Sequence, residues 1–145
     1  MNEKRQVLPV KCKGITFGDG QITIQSMLNV RSDEIEKSIV QAVALEQAGC
    51  DVVRIAVPDH NAVRLVEAIK SHISIPLVAD IHFDYRLALE CVAAGIDKVR
   101  INPGNIGGDD HVKAVANACA NAGVPIRIGV NAGSLEKEIL AKHGA

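Results

Sequence analysis

A seven-residue string recurs in this chain and limits what it can fold into. Ala48-Gly49-Cys50-Asp51-Val52-Val53-Arg54 returns as Ala94-Gly95-Ile96-Asp97-Lys98-Val99-Arg100. A looser copy follows as Ala122-Gly123-Val124-Pro125-Ile126-Arg127. Each copy closes a stretch with helical spacing, and its glycine stands where the residue just past a helix end would. The unit is therefore helix, glycine stop, short β-branched strand, arginine.

The helices between the copies are readable from their apolar stripes. Asp33 with Glu36 has the spacing of a capping box, and Ile35, Ile39, Ala42, Val43 and Leu45 then share one face up to Ala48. Asp59 opens a second helix carrying Val63, Val66 and Ile69, and Asp84 a third with Leu87, Leu89 and Val92. Asp109 or Asp110 opens a fourth with Val112, Val115 and Cys119, and Ser134 starts a fifth. Strands are predicted at about Ile22–Met27, Val52–Val57, Leu77–His82, Lys98–Asn102 and Ile126–Val130. They are apolar on both faces, as parallel strands under helices are. Val7–Phe17 followed by Gly18-Asp19-Gly20 reads as a hairpin-like lead-in.

The order is thus βα five times over, which suits a doubly wound sheet or a barrel. A G-x-G-x-x-G phosphate fingerprint does not follow the first strand. The polar residues favour the barrel, giving an α/β fold with about five parallel βα units of a partial TIM-like barrel. Residues 1–145 are expected to form the N-terminal part of one such domain, with no second domain. A full barrel takes eight strands and about 250 residues, so five units are not expected to close one.

Composition removes other classes. Sixteen Lys+Arg balance 17 Asp+Glu, which gives no field for nucleic acid or a membrane surface. Hydrophobic residues make up 48%, too many for a disordered chain. No apolar run reaches membrane-spanning length, and Met1–Lys11 is charged and lacks the apolar core of an export signal. Cys12, Cys50, Cys91 and Cys119 form no C-x-x-C pair and are expected to be buried thiols in a reducing cytoplasm, not metal ligands.

Side chains alternate along a strand. Arg54 ends the second strand; Asp80 and His82 share a face of the third, Arg100 and Asn102 of the fourth, Arg127 and Asn131 of the fifth. All stand toward the C-terminal ends, where parallel α/β sheets bind ligands. Three guanidiniums against one carboxylate leave excess positive charge, and arginine's planar fork suits phosphate oxygens. The loop Asn102-Pro103-Gly104-Asn105-Ile106-Gly107-Gly108 adds glycine-freed N–H groups before a helix. Together these predict a pocket for a phosphorylated or diphosphorylated small molecule. Asp80 and His82, two apart and co-facial, have the spacing for acid–base work. Asp51 and Asp97 read as turn or cap residues, and Lys98 as a residue closing the barrel's bottom.

The same residues carry a family resemblance. Gln25-Ser26-Met27, Val53-Arg54-Ile55, the string Pro76–Arg86 (PLVADIHFDYR), Val99–Gly107 (VRINPGNIG) and Pro125–Leu135 (PIRIGVNAGSL) closely resemble the 4-hydroxy-3-methylbut-2-enyl diphosphate synthase family. The resemblance runs over nearly the whole chain. It implies an oxidoreductase of the methylerythritol phosphate route of isoprene biosynthesis, one that reductively opens 2-C-methyl-D-erythritol 2,4-cyclodiphosphate. It implies a TIM-like barrel that holds the diphosphate, and a separate domain with a [4Fe-4S] cluster fed by ferredoxin or flavodoxin. It also implies a homodimer in which one subunit's cluster domain caps the other's barrel. Carried onto this chain, Arg54, Arg100, Asn102, Arg127 and Asn131 are diphosphate and hydroxyl contacts, with Asp80 and His82 lining the same mouth. The cluster ligands are expected outside this chain, which by itself is expected to be inactive.

After the first strand the family usually has Ser-Met-Thr-Asn-Thr. This chain has Ser26-Met27-Leu28-Asn29-Val30, and no ligand contact is assigned to Leu28, Asn29 or Val30. Two other readings stay open on the residues alone. One is a non-redox phosphate- or pterin-binding barrel module, similar to dihydropteroate synthase. The other is a protein-interaction fragment whose open sheet edge pairs with a partner.

Overall fold

A computed structural model describes residues 6–144. The first five residues of the Met1–Lys11 segment and the last residue of the expected domain lie outside them. The lead-in is a hairpin: β1 (Val10–Cys12) pairs antiparallel with β2 (Ile15–Phe17), Val10 opposite Phe17 and Cys12 opposite Ile15. Lys13 and Gly14 make the turn with φ of 38° and 80°, the two positive angles of a type I′ connection.

The remaining strands form one parallel sheet in chain order: β3 (Gln25–Met27), β4 (Val52–Val57), β5 (Leu77–Ile81), β6 (Lys98–Ile101) and β7 (Ile126–Ile128). Helices α1 (Ile35–Gln47), α2 (Arg64–Lys70), α3 (Tyr85–Ala93) and α4 (Asp109–Ala122) connect them, and α5 (Lys137–His143) follows β7. This is the α/β partial barrel that the repeat predicts.

Parity builds the two faces. Val53, Ile55 and Val57 of β4, Leu77, Ala79 and Ile81 of β5, and Val99 and Ile101 of β6 join the helices' apolar stripes in one core. Their alternates, including Arg54, Asp80 and Arg100, therefore stand on the opposite, inner face. Three glycines stop the helices as their positions suggest. Gly49, Gly95 and Gly123 have φ of 89°, 82° and 67°. The next N–H in each copy (Cys50, Ile96, Val124) bonds the carbonyl five residues back, at 3.1, 3.0 and 2.8 Å. That is the Schellman arrangement, repeated three times.

The repeat's aspartates are inter-strand staples. Asp51 Oδ2 accepts the N–H of Ile24 at 2.8 Å, and Asp97 Oδ2 accepts that of Leu77 at 2.9 Å. Each carboxylate thus satisfies the entry of the neighbouring strand, and Asp97 also holds Lys70 at 2.7 Å. Lys98 closes the bottom: its Nζ sits 3.6 Å from the Phe17 ring centroid, so the hairpin covers that end of the sheet through a cation–π contact.

Several boundaries differ from the sequence reading. The first strand is shorter than Ile22–Met27, because its register partners on β4 begin only at Val52, opposite Gln25. The strands predicted to reach His82, Asn102 and Val130 end at Ile81, Ile101 and Ile128. No Asp33–Glu36 capping box forms. Helix α1 starts at Ile35 behind Glu34, which makes no side-chain cap. Asp33 is instead engaged by both Nε and Nη2 of Arg31 at 3.1 Å, a two-pronged bond that holds its carboxyl below the usual range. Asp59 caps a 3₁₀ turn (His60–Val63) that runs on into α2, and Asp84 caps α3 as expected. Gly108 stands before α4, leaving Asp109 and Asp110 in its first turn. Ser134 ends a second 3₁₀ turn (Ala132–Ser134), and α5 begins three residues later.

Candidate anion site

Register places the charged residues at neighbouring levels of the inner face. Asp80 and Arg100 stand one residue short of the ends of β5 and β6. Arg54 is in the middle of β4 and not at its end as expected from the sequence, because β4 runs on to Val57 against β5. Asp80 stands opposite Ala56 on one side and Arg100 on the other, and Arg100 opposite Arg127. Asp80 is only 2% exposed, and each of its oxygens takes one guanidinium. Oδ2 accepts from Arg54 Nη2, and Oδ1 accepts from Arg100 Nη1 at 3.1 Å. Arg100 is held at a second point, donating from Nη2 to the Gly129 carbonyl at 3.1 Å. His82 brings Nε2 to 3.6 Å from Asp80 Oδ2, beyond hydrogen-bond reach, with its ring partly in solvent. The cluster carries two fixed positive charges and one negative, and Arg54 Nε is buried with no acceptor among the described residues.

Of the residues singled out in the sequence, the structure brings Arg54, Asp80, His82 and Arg100 together. Asn102 is 1% exposed. Its Oδ1 accepts the Gly104 N–H at 3.2 Å and its Nδ2 donates to Ser134 Oγ at 2.8 Å, so its amide joins two loops. Asn131 is exposed and caps the turn that ends at Ser134. Arg127 is not brought into the cluster. It lines a separate cavity of about 480 Å³ with Lys98, Gln25 and Phe17, against the hairpin. Burial, and then the nearby Arg127 charge, hold the Lys98 ammonium's pKa below its usual value.

Two contributors escape a reading by residue type. Gly129 offers no side chain, yet a Cβ there would overlap the Arg100 guanidinium. Its signal is positional, since it has the parity of Arg127 and Asn131 on the same strand line. Ser134 is legible only through the loop it ties, 32 residues from Asn102. Leu28 is buried in the core, and Asn29 pairs with Gln41 of α1 by two amide hydrogen bonds at 2.6 and 3.1 Å. That loop therefore turns toward the helix.

The described residues do not fit an iron–sulfur cluster. Cys12 lies in the hairpin, Cys50 at the entry to β4, Cys91 in α3 and Cys119 in α4, all free and buried. No three His, Cys, Asp or Glu among the described residues gather as a metal set. Burial pushes the Cys91 thiol up to about 12 and raises Cys12 and Cys119 as well. The thiolate is the nucleophile, so Cys91 is expected to resist alkylation by iodoacetamide at neutral pH until denaturant is added. Mass spectrometry with and without urea checks this, and rapid labelling of Cys91 in the native chain would contradict its burial.

The GcpE TIM-barrel domain matches residues 8–145. The chain is 53% identical, over 145 residues, to 4-hydroxy-3-methylbut-2-en-1-yl diphosphate synthase (flavodoxin) of Bacillus mycoides (strain KBAB4) and to the enzyme of the same name from Bacillus anthracis. Those alignments take in 99% of this chain and 40% of each relative, so the chain spans about 40% of their length. Among solved structures, Xanthomonas albilineans dihydropteroate synthase superposes with a TM-score of 0.66 at 17% identity, covering 92% of this chain and 54% of that one. The Yersinia pestis enzyme gives 0.58 at 17% identity, over 82% and 48%. At that identity the likeness is one of fold. Among the described residues no helix is long and apolar enough to cross a membrane. By the match over nearly all of its length, the chain belongs to the GcpE TIM-barrel domain family.

Proposed function

We propose that this chain is the diphosphate-holding barrel portion of an oxidoreductase that opens 2-C-methyl-D-erythritol 2,4-cyclodiphosphate to 4-hydroxy-3-methylbut-2-enyl diphosphate. The observation that carries the reading is the Arg54–Asp80–Arg100 group on the sheet's inner face. One carboxylate orients two guanidiniums and neutralises only one of them, which leaves a net positive site. The 53% identity to enzymes bearing that name supports the same substrate.

In this reading Arg54 and Arg100 bind diphosphate oxygens, with Arg54 Nε still in need of an acceptor. Asn131 extends the contact in the loop after β7, while Arg127, turned toward Lys98 and the hairpin, is left out of it. Asn102, buried in its loop, supports the site from behind. Asp80 has both oxygens committed to guanidiniums, so it aligns the arginines, and His82, partly open to solvent, is the group placed to move a proton at the mouth. A [4Fe-4S] cluster held by protein outside this chain would supply the two electrons, with flavodoxin, as in the relatives' name, or ferredoxin as donor. The working enzyme is a cytoplasmic homodimer, in keeping with four free thiols.

Calorimetric titration with the cyclodiphosphate tests the site. Hydrogen bonds to charged groups contribute about 1.5–3 kcal/mol each, so Arg54→Ala and Arg100→Ala should each weaken binding by roughly one to two decades. Arg100→Lys should also weaken it, because a point ammonium cannot span Asp80, Gly129 and a phosphate at once. Unchanged affinity in all three variants would refute the assignment.

A further inference from the structure

The loop after β6 and the loop after β7 meet at one hydroxyl. Ser134 Oγ accepts from Asn102 Nδ2 at 2.8 Å and from the Asn131 N–H at 3.1 Å, and donates to the Asn131 carbonyl at 3.0 Å. A serine hydroxyl has one donor and two acceptor sites, so all of its capacity is used here. The Ser134 backbone adds a further tie, because its N–H is donated to the Asn131 backbone carbonyl at 3.0 Å. That leaves the exposed Asn131 NH₂ group free to donate.

The junction is also sterically closed. A Cβ on Gly104 would run into the Ser134 carbonyl oxygen, so only glycine lets the β6 loop pass this close. Upstream of Asn131 on the same segment, Gly129 donates its N–H to the Ile101 carbonyl at 2.9 Å and supplies the carbonyl that holds Arg100. The segment from Gly129 to Ser134 is therefore anchored at both ends, on β6 at one and on the Asn102 amide at the other.

We infer that Ser134 is a positioning residue for the anion site: its hydroxyl locks the Asn102 loop to the β7 loop and so fixes where the Asn131 amide donates. The inference rests on the diphosphate-binding reading above. Nothing in it requires Ser134 to touch the ligand. A hydroxyl whose three bonds all go to protein has none left to give.

The test is a double-mutant cycle on the full chain, with inorganic pyrophosphate as the probe and calorimetry as the readout. Ser134→Ala should weaken pyrophosphate binding roughly tenfold, the loss of about one well-made hydrogen bond's worth of affinity. Ser134→Thr, which keeps the hydroxyl, should restore it. Asn131→Ala should weaken binding as well, and Ser134→Ala added to it should bring little further loss, since contacting residues that act as one unit are non-additive. Gly104→Ala attacks the junction from the other loop and should mimic Ser134→Ala. Hydrogen–deuterium exchange of the Asn102 side-chain amide, followed by nuclear magnetic resonance, reports the clasp directly: the proton given to Ser134 should exchange slowly in the wild type and in Ser134→Thr, and markedly faster in Ser134→Ala. If the wild type binds pyrophosphate and Ser134→Ala binds it equally, or the two losses simply add, the positioning role is overturned while the anion site stands. If the wild type itself does not bind pyrophosphate, the anion-site reading falls and this inference falls with it.

Discussion

Replacing Asp80 by alanine is expected to cost about 3–5 kcal/mol of stability, the range found when one partner of a buried ion pair is removed. The reason is the company Asp80 keeps. It is almost wholly buried, and two guanidiniums that are themselves mostly buried converge on its two oxygens. Alanine would leave Arg54 and Arg100 facing each other across β5 with no anion between them. It would also add orphaned donors to the Arg54 Nε that already lacks an acceptor among the described residues. Asp80→Asn keeps the shape and one acceptor oxygen, so it should fall between the wild type and alanine. Urea unfolding followed by circular dichroism measures the difference. A loss below 1 kcal/mol would mean that the guanidiniums swing into water when released, and that Asp80 does not organise the site. Pyrophosphate in the buffer should recover part of the loss, because an anion bound only to the folded state raises its stability by mass action.

The part of this site that could be read from the chain is the part that depends on alternation. Arg54, Asp80, His82 and Arg100 fall on one face because their neighbours Val53, Ile55, Ala79, Ile81, Val99 and Ile101 fill the other, and that pattern is written in the residues. The helix stops were legible for a similar reason, since a left-handed backbone at Gly49, Gly95 and Gly123 is a local demand met by a local residue. Helix starts were less so: Asp33 has the spacing of a cap, but a nearby Arg31 competes for its carboxylate and wins. Parity also placed Arg127 on the correct face, opposite Arg100. It could not say which way a long side chain would lie along that face, and Arg127 extends toward Lys98 and the hairpin. The Asn102–Ser134 bond was out of reach altogether, because it joins two loops whose approach is set by the whole sheet.

The second large effect concerns the sheet's edges. The 145-residue chain prepared by itself is expected to self-associate in a concentration-dependent way. Its five strands run in chain order, so β3 and β7 are the two ends of the sheet and do not meet. Closing a barrel of this kind takes eight strands. An edge strand presents a row of unpaired N–H and C=O groups, and natural edges are shielded by charge, proline or a bulge. Here β3 is Gln25-Ser26-Met27, with no charge, and β7 carries only Arg127. Apolar side chains accompany both edges: Ile22 is 93% exposed before β3, and Ile128 and Val130 are more than half exposed at β7. Sedimentation velocity across a dilution series should show the average mass falling as concentration drops. Amide exchange at Gln25–Met27 and Ile126–Ile128 should slow as concentration rises, while β5, paired on both sides, should not change. The two measurements separate edge pairing from other association: oligomers without edge protection would point to the apolar inner face as the contact, and a monomer at every concentration would show that β3 and β7 tolerate solvent as they stand.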